Sequence, residues 1–289
     1  MTPTVEVEQV VIDGKAIAAQ VRAEVAEGVA AFVERHGRRP GLATVLVGSD
    51  PASEVYVRNK RRACVAAGMA DHHHRVDEDA TQDEVEALVD ALAADDSVSG
   101  ILLQLPLPAH LDSVALVERI PADKDVDGLT AVNAGLIAQG RPGLVPCTPG
   151  GVIRLLDQHQ VELSGARAVV IGRSILVGRP MAALLTQRDA TVTLCHSRTV
   201  DLAARCREAD ILVVASGQRA LVQSNWVRPG AVVIDVGIHR TDDGLAGDVA
   251  PGAAVQAALV TPVPGGVGPM TIAMLLSNTL LAAERAAAV

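Results

Sequence analysis

The sequence predicts an α/β protein of two domains in which parallel strands alternate with helices. Apolar, β-branched runs that end in Gly or Pro are typical of buried parallel strands. They recur in "LATVLVG" (42–48), "GILLQLPLP" (100–108), "ARAVVIG" (166–172) and "AVVIDVG" (231–237). Between such runs lie segments with apolar residues at helical spacing, and a Gly- and Pro-rich segment, 121–151, interrupts the alternation. We therefore place a domain junction in that segment and expect helices to cover the sheets.

Composition excludes several classes of function. The chain has 289 residues, half of them apolar, which suits two compact domains. No uninterrupted apolar run reaches the length of about eighteen residues that a membrane span needs. Glu6, Glu8 and Asp13 stand where a signal peptide would be basic and then apolar. We therefore expect a cytoplasmic protein without a membrane span.

Charge and cysteine usage narrow the choice of ligand. The net charge is −9, and no basic stripe with interleaved aromatic residues is present, which argues against a nucleic-acid groove. The four cysteines lie far apart without a CxxC pair, so the pattern indicates core residues rather than a zinc site or a disulfide framework. Small molecules are the expected ligands.

The histidine run His72–His74 is the one feature that could suggest a metal. It follows a predicted helix stop at Gly68, and only two of three adjacent side chains can share one face of a strand. We interpret the run as a short, partly exposed strand and predict no metal site.

The segment "SEVYVRNKRRACVAAG" (53–68) contains the only tyrosine of the chain, Tyr56, four residues before Lys60. We predict a helix here with Ser53 as its N-cap and Gly68 as its stop. The spacing places Tyr56 and Lys60 on one helix face, close enough to act on one ligand. Short-chain dehydrogenases also use a YxxxK pair and are the natural alternative. They place the glycine-rich turn before the pair, whereas here the pair comes first by more than a hundred residues.

The second half of the chain has a doubly wound, dinucleotide-binding pattern, and its phosphate turn would be "IGRSILVGRP" (171–180). Gly172 and Gly178 are separated by five residues, so the turn is not GxGxxG and is weak evidence alone. At the end of the next predicted strand, "CHSRT" (195–199) has no acidic residue to bind ribose hydroxyls. An arginine and a hydroxyl there, Arg198 and Ser197, together with Arg173 in the turn, favour NADP over NAD because they suit a 2′-phosphate.

Three further features support a catalytic site. Gln104 follows an apolar strand, and its amide needs a partner if it is buried. "KDVDG" provides two carboxylates, Asp125 and Asp127, which could also form only a charged turn. "TPVPGGVGPMT" (261–271) combines three glycines with three prolines before the last predicted helix, which indicates close backbone approach along a rigid course.

These motifs together resemble the bifunctional methylenetetrahydrofolate dehydrogenase/cyclohydrolase family. The resemblance runs in the family's order from about residue 42 to 276. It is carried by "VGSDPASEVYVRNK", "GILLQLPLP", "DKDVDG", "GRSILVGRPM", "TVTLCHSRT", "DVGI", "GDV" and "PGGVGPMTIAMLL". It implies NADP-dependent oxidation of 5,10-methylenetetrahydrofolate, followed by hydrolysis of the methenyl product to 10-formyltetrahydrofolate. That activity belongs to one-carbon metabolism, which feeds purine biosynthesis.

The resemblance also implies the domain organisation. Residues 1–148 with 270–289 would form the folate-binding catalytic domain, and 149–269 a Rossmann-type NADP-binding domain, with the folate in a cleft between them. Family members are usually homodimers joined through the nucleotide domains, so a homodimer is expected.

Site residues are carried over by position from the family. Tyr56 would pack on the pterin, and Lys60 would be the general acid/base with Gln104 as its hydrogen-bonding neighbour. Asp127 would grip the pterin amines. The complete predicted substrate-binding set is Ser53, Tyr56, Leu103, Gln104, Leu105, Asp127, Pro264, Gly265 and Gly268. The predicted NADP-binding set is Gly172, Arg173, Ser174, Ser197, Arg198 and Ile238.

The chain departs from the family pattern at two places. Leu129-Thr130 follows "DVDG" where many members have an aromatic residue or His, and Arg198 stands where Lys is common. Neither change removes a catalytic group. The alternative from another class is a non-catalytic NADP-binding protein, which would have no reason to combine Tyr56, Lys60, Gln104 and Asp127.

Overall fold

The structure is a computed structural model that describes residues 9–288. These residues form two compact units. The large-sheet unit consists of the described residues up to Ile17 together with Thr148–Thr271, and the small-sheet unit consists of Ala18–Cys147 together with the residues from Ile272 onward. The predicted fold class, α/β with two parallel-sheet domains, is confirmed. Glu6 and Glu8, which bear on the expected absence of a signal peptide, lie outside the described residues.

The helices and strands have the following bounds. The strands are β1 (Val10–Val11), β2 (Gly41–Val47), β3 (Ala70–Val76), β4 (Gly100–Leu103), β5 (Arg167–Ile171), β6 (Thr191–Cys195), β7 (Ile211–Val214), β8 (Val232–Asp235), β9 (His239–Thr241), β10 (Gly244–Ala246) and β11 (Leu259–Val260). The α-helices are α1 (Gly14–His36), α2 (Pro51–Ala66), α3 (Gln82–Ala94), α4 (Ser113–Glu118), α5 (Ala131–Ala138), α6 (Cys147–Gln158), α7 (Gly178–Gln187), α8 (Leu202–Arg207) and α9 (Val267–Ala287). A 3-10 helix spans Ser224–Trp226.

The small-sheet unit is built on a parallel sheet of order β3-β2-β4. Every residue of the central strand β2 is buried, as its apolar, β-branched sequence predicts. The histidine run lies in β3, a partly buried strand, which confirms its interpretation as a strand. β4 ends at Leu103, so Gln104 is the first residue beyond the carboxyl end of an entirely buried strand.

The start of helix α2 differs from the prediction that Ser53 is its N-cap. The helix begins three residues earlier because Pro51 occupies its first turn and Asp50 caps it. The Asp50 carboxylate accepts a hydrogen bond of 2.7 Å from the Ser53 backbone N–H, which is the role of an N-cap side chain. Ser53 therefore lies inside the helix and is buried.

The large-sheet unit is built on a parallel sheet of order β1-β11-β8-β7-β5-β6. β5 pairs with β6 on one side and with β7 on the other, so the order of the strands along the chain reverses at β5. In doubly wound sheets this reversal marks the crevice where ligands bind, at the carboxyl ends of the strands. β9 and β10 form a small antiparallel pair that the sequence did not predict.

The N-terminal segment lies in a different unit from the expected one. Residues 1–148 were predicted to belong together, whereas β1 pairs with β11 in the large sheet, with Val10 opposite Leu259. The backbone after β1 packs tightly in the same unit, because a Cβ on Gly14 would lie 1.8 Å from the Gly266 carbonyl oxygen. Strand pairing over such a distance leaves no signal in a local sequence pattern.

Of the described helices, α9 is the one long and apolar enough to cross a membrane by length and composition, with a mean hydropathy of 1.2. Half of that stretch is buried inside the protein, and the core helix of a soluble protein passes the same test.

Candidate active site

Lys60 and Gln104 form the centre of the predicted catalytic site in the small-sheet unit. Lys60 is only 8% exposed, and its Nζ donates a hydrogen bond of 3.0 Å to Oε1 of Gln104. The Gln104 side-chain amide donates in turn to the Leu105 carbonyl at 2.6 Å, while its backbone N–H donates to Val45 of β2. The partner that Gln104 required is therefore Lys60, and the glutamine fixes the position of the lysine amine.

Tyr56 lies one helical turn before Lys60 on α2, and its side chain is 44% exposed. The ring is therefore available to pack on a ligand. The spacing of four residues places the ring and the lysine on one face of the helix, as predicted. The neighbouring predicted residues differ in exposure: Ser53 and Leu103 are buried, Leu103 within the apolar core, whereas Leu105 is partly exposed.

The two carboxylates of "KDVDG" have different environments. Asp125 is 1% exposed, and its Oδ2 accepts hydrogen bonds from the backbone N–H and hydroxyl of Thr130, both at 2.8 Å, and from the Asn133 amide. Its Oδ1 accepts from the Leu129 N–H at 3.1 Å, so both oxygens of this buried carboxylate hold the turn into α5. The Thr130 that departs from the family pattern is thus the anchor of this turn, and Asp127 is the carboxylate left for chemistry.

Asp127 keeps some solvent contact but is surrounded by protein atoms. Burial raises the pKa of its carboxyl, while the nearby Lys60 ammonium and the Cys147 thiol oppose that rise. Burial also raises the pKa of the Cys147 thiol well above its ordinary value, and the Asp127 charge adds to this effect. Lys60, Asp127 and Cys147 therefore form one electrostatic cluster in a poorly solvated site.

Two residues that bond the backbone beside Asp127 were not among the predicted site residues. Cys147 was interpreted as a core residue, but its thiol donates to the Val126 carbonyl at 3.3 Å, next to Asp127. Asn278 of α9 donates to the carbonyls of Val126 and Val145, both at 2.8 Å. The sequence carries only a faint signal for them: Cys147 lies in the Gly- and Pro-rich segment, and Asn278 is a polar residue on an apolar helix.

The phosphate turn lies where the strand order of the large sheet reverses. Gly172 follows β5 with φ of +115°, and a Cβ there would lie 2.0 Å from the Ala215 carbonyl oxygen, just beyond β7. A Cβ on Gly178 would meet the Gly172 carbonyl oxygen at 1.9 Å. Both glycines are thus required by close backbone approach. The turn leads into α7, whose N-cap residue Val177 provides no side-chain cap. The Arg179 N–H donates to the Ser174 carbonyl at 3.1 Å, and Pro180 has no N–H, so the first turn of the helix is closed onto the phosphate turn itself.

Arginines and a serine stand at the carboxyl edge of the same sheet. Arg173 follows β5, while Ser197 and Arg198 follow the adjacent strand β6, and all three are exposed. No acidic residue stands between the end of β6 and Asp201. Ser174 is also exposed and accepts a hydrogen bond from Val177 at 3.1 Å through its hydroxyl. This set of donors fits a dinucleotide that carries a 2′-phosphate.

The remaining predicted residues lie near the start of α9 in the large-sheet unit. Ile238 is 45% exposed, and a Cβ on Gly268 would lie 3.6 Å from its Cδ1 atom. Gly265 has a positive φ of +106°. The closest backbone approach in this segment occurs at Gly266 against Gly14, so packing within the protein accounts for part of its glycine content.

The histidine run lies outside the site. His73 pairs with the Thr44 hydroxyl at 2.9 Å on the neighbouring strand β2, and burial lowers the pKa of its imidazole. Among residues 9–288 there is no group of three His, Cys, Asp or Glu side chains that could hold a metal ion.

Comparison with known proteins gives matches over nearly the whole chain. A family model described as tetrahydrofolate dehydrogenase/cyclohydrolase, catalytic domain, matches residues 12–127, and one described as the NAD(P)-binding domain of the same proteins matches 146–287. The bifunctional protein FolD 2 of Frankia alni is 65% identical over 281 residues, 97% of this chain and 98% of that protein. The bifunctional protein FolD of Sphingopyxis alaskensis is 59% identical, covering 96% of this chain and 94% of its own.

Solved structures agree with these matches. The bifunctional FolD methylenetetrahydrofolate dehydrogenase/cyclohydrolase of Campylobacter jejuni has a TM-score of 0.94 and 43% identity, with 96% of this chain and 99% of that chain covered. The methylenetetrahydrofolate dehydrogenase-cyclohydrolase of Trypanosoma brucei, solved in complex with NADP and an inhibitor, has a TM-score of 0.93 and 42% identity, with 97% and 99% covered.

Proposed function

The chain belongs to the tetrahydrofolate dehydrogenase/cyclohydrolase family, and from that premise we propose how its own residues carry out the two reactions. It is a bifunctional enzyme of one-carbon metabolism: it oxidises 5,10-methylenetetrahydrofolate with NADP and hydrolyses the methenyl product to 10-formyltetrahydrofolate. The observation that carries the mechanism is the buried Lys60 amine, held by Gln104 beside the Asp127 carboxyl.

The oxidation needs alignment more than acid or base. In the substrate a bridge carbon lies between two nitrogens, and a nitrogen lone pair can expel hydride from that carbon. NADP, when bound, supplies the acceptor for this hydride. The protein residues orient the pterin: Tyr56 packs on its ring, and Asp127 accepts hydrogen bonds from its amines. No proton has to move in this step, so Lys60 is not required for it.

The hydrolysis needs a base and then an acid. Water attacks the cationic methenyl carbon, and the oxygen loses a proton to the uncharged Lys60 amine. The bond from that carbon to one of the two nitrogens then breaks as the hydroxyl on the carbon gives up its remaining proton to water, and the Lys60 ammonium returns its proton to the departing nitrogen. This leaves a formyl group on the other nitrogen and releases one proton overall. Gln104 supports both steps because its Oε1 accepts a hydrogen bond from Nζ and holds it in place.

The assignment of folate-binding and NADP-binding residues is part of the proposal. Folate binding is assigned to Ser53, Tyr56, Leu103 through its backbone, Gln104, Leu105 and Asp127, and the contribution of Pro264, Gly265 and Gly268 stays a prediction. NADP binding is assigned to Gly172, Arg173, Ser174, Ser197, Arg198 and Ile238. The fit of the phosphate turn to the point of strand reversal supports the second assignment.

A cytoplasmic homodimer, serving purine biosynthesis, completes the proposal. β6 is an edge strand of the large sheet, and Leu194 on it and Val200 just beyond it are exposed, at 37% and 86%. An edge strand with apolar side chains favours pairing with a second copy. Light scattering on the purified protein should give twice the mass of the chain, and Leu194→Glu should lower the mass toward the monomer. A monomeric wild type would contradict the dimer.

Two separate assays test the function. NADPH formation from 5,10-methylenetetrahydrofolate and NADP measures the oxidation, and the loss of methenyltetrahydrofolate in the absence of NADP measures the hydrolysis. Both activities are expected. Hydrolysis alone would leave a monofunctional cyclohydrolase, and the absence of both would favour the non-catalytic NADP-binding alternative.

A further inference from the structure

Asp248 is a buried carboxylate at the point where two strand-ending loops of the large-sheet unit meet. It is 0% exposed. Its Oδ2 accepts three hydrogen bonds: from the Ser216 backbone N–H at 2.6 Å, from the Ser216 hydroxyl at 2.8 Å and from the Gly217 N–H at 2.9 Å. Its Oδ1 pairs with Nε2 of His239 at 2.7 Å. These four hydrogen bonds therefore join Asp248 to the residues that follow β7 and to those that follow β8.

A second buried carboxylate fixes Asp248 itself. Oδ1 of Asp235 accepts from the backbone N–H groups of Asp248 and Gly237, and its Oδ2 accepts from Val249, each at 2.9 Å. The packing is tight, because a Cβ on Gly237 would lie 2.3 Å from Asp248 Oδ1. Asp248 is thus held at the end of β8 by a hydrogen bond to its backbone N–H and by close packing around its side chain.

The two loops stand at the ligand-binding edge of the sheet. Ser216 and Gly217 follow β7, and His239 comes four residues after the end of β8; these strands are parallel neighbours. The residue before Ser216, Ala215, is the one whose carbonyl excludes a side chain at Gly172 of the phosphate turn. The residue before His239 is Ile238, which is exposed. Dinucleotides bind along this edge in doubly wound sheets.

We propose that Asp248 and His239 are a positioning pair for the dinucleotide site. The pair holds the Ser216–Gly217 loop and the Ile238 loop at a fixed separation, so that the NADP-binding edge is formed before the cofactor arrives. This inference rests on the proposed function only in that NADP is the ligand. His239 is the member chosen for the test, since its side chain is 23% exposed whereas that of Asp248 is 0% exposed.

The test compares His239→Ala with His239→Gln. Glutamine carries an amide N–H at nearly the distance of the imidazole Nε2, so it can still donate to Asp248, whereas alanine cannot. A matched control is His159→Ala, which removes a partly buried histidine at the end of the same unit's helix α6. NADP binding is measured by titration calorimetry without folate, and the Michaelis constants for NADP and folate are measured separately. Hydrolysis of methenyltetrahydrofolate without NADP and thermal unfolding complete the set.

We expect His239→Ala to weaken NADP binding about three- to tenfold, as for loss of one partly exposed hydrogen bond to a carboxylate. Hydrolysis without NADP should stay at the wild-type rate, and His239→Gln should recover most of the affinity. If His239→Ala binds NADP as tightly as the His159→Ala control does, or weakens hydrolysis equally, the proposal is wrong. A wild type without either activity that still binds NADP would overturn the proposed function and leave this test intact.

Discussion

Lys60 is 8% exposed and its amine is bonded to an uncharged amide, so it is costly to bury, and the proposed acid/base role offers a reason for that cost. Lys60→Met preserves the length of the side chain and removes the proposed acid/base group. We expect NADP reduction with 5,10-methylenetetrahydrofolate to persist at a lowered rate, because the substrate's own nitrogen expels the hydride. Methenyl hydrolysis should fall roughly 10²- to 10⁴-fold, which is the usual contribution of a positioned acid/base.

The measurement is the pair of initial rates on one preparation, with circular dichroism to verify folding. Arg62→Met is the matched control, since it removes an exposed cation from the same helix. Loss of both activities by the same factor in Lys60→Met would make Lys60 a positioning residue and place the base elsewhere.

Arg173 tests the choice of cofactor at the residue scale. Its side chain is exposed and follows β5, at the same sheet edge as Ser197 and Arg198. A charge-assisted hydrogen bond to phosphate contributes about 1.5 to 3 kcal/mol before exposure reduces it. We expect Arg173→Ala to raise the Michaelis constant for NADP about tenfold and that for NAD little.

Arg188→Ala is the control, because this arginine at the other end of α7 is paired with Asp157. Equal increases for NADP and NAD would instead put Arg173 at the pyrophosphate, and the argument for 2′-phosphate recognition would fail.

The side chains of the candidate active site were predictable in part. The i, i+4 spacing gives Tyr56 and Lys60 one helix face, and the end of a buried strand marks Gln104. The contact between Lys60 and Gln104 joins residues 44 positions apart, so no local pattern contains it. Cys147 and Asn278 leave only a faint signal in the sequence, because their roles consist of hydrogen bonds to backbone carbonyls that only the fold brings near.

Helix α9 supports the catalytic turn through one polar side chain. Asn278 donates to the carbonyls of Val126 and Val145, and Val126 directly precedes Asp127. We expect Asn278→Ala to lower the free energy of unfolding by about 2 to 3 kcal/mol, since it leaves buried carbonyls without their donor. Hydrolysis should decline more than NADP binding, because Asp127 loses its support.

Urea unfolding and the two assays measure these effects. Thr279→Val is the neighbouring control: its hydroxyl bonds only the Leu275 carbonyl of its own helix, so a loss under about 1 kcal/mol is expected. If the two variants lost equal stability, the hydrogen bonds from Asn278 to the Val126 and Val145 carbonyls would contribute no more than a hydrogen bond within the helix.

Elements were predictable wherever their signal is local. The β-branched runs gave β2, β4, β5 and β8. Helix α3 begins with an equally local signal, since Thr81 caps it and Glu84 completes a capping box. Strands β1 and β11 were not predicted, because two-residue strands carry no periodicity and depend on partners far along the chain. The N-cap of α2 was misplaced because Pro51 starts the helix before the first residue that looked like a cap.

At the scale of the whole molecule, the ionisation of buried cysteine thiols makes the free energy of unfolding depend on pH. Cys64 and Cys206 are both 0% exposed, and burial raises the pKa of each thiol from 9.0 to about 12. The Asp71 charge contributes to the rise at Cys64 against the opposing effect of Arg61. Burial likewise raises the pKa of the thiols of Cys147 and Cys195. In the unfolded chain all four thiols would titrate near their ordinary value.

The folded protein therefore binds more thiol protons than the unfolded chain does above pH 9.0, and stability must fall as pH rises from 9.0 toward about 12. Each such thiol tends toward a slope of about −1.4 kcal/mol per pH unit. In Cys64→Ala the free energy of unfolding should be lower than in the wild type by a packing loss that does not change with pH. The free energy should also decline less steeply as pH rises, by up to the slope that one thiol contributes. Urea unfolding under reducing conditions, between about pH 7.5 and about pH 10.5, measures both quantities. The control is Val65→Ala, at an exposed neighbouring residue, and its free energy of unfolding should decline with pH as steeply as that of the wild type. Groups that titrate alike in both proteins cancel in the comparison, so an unchanged slope in Cys64→Ala would mean that this thiol ionises as readily in the folded core as in water.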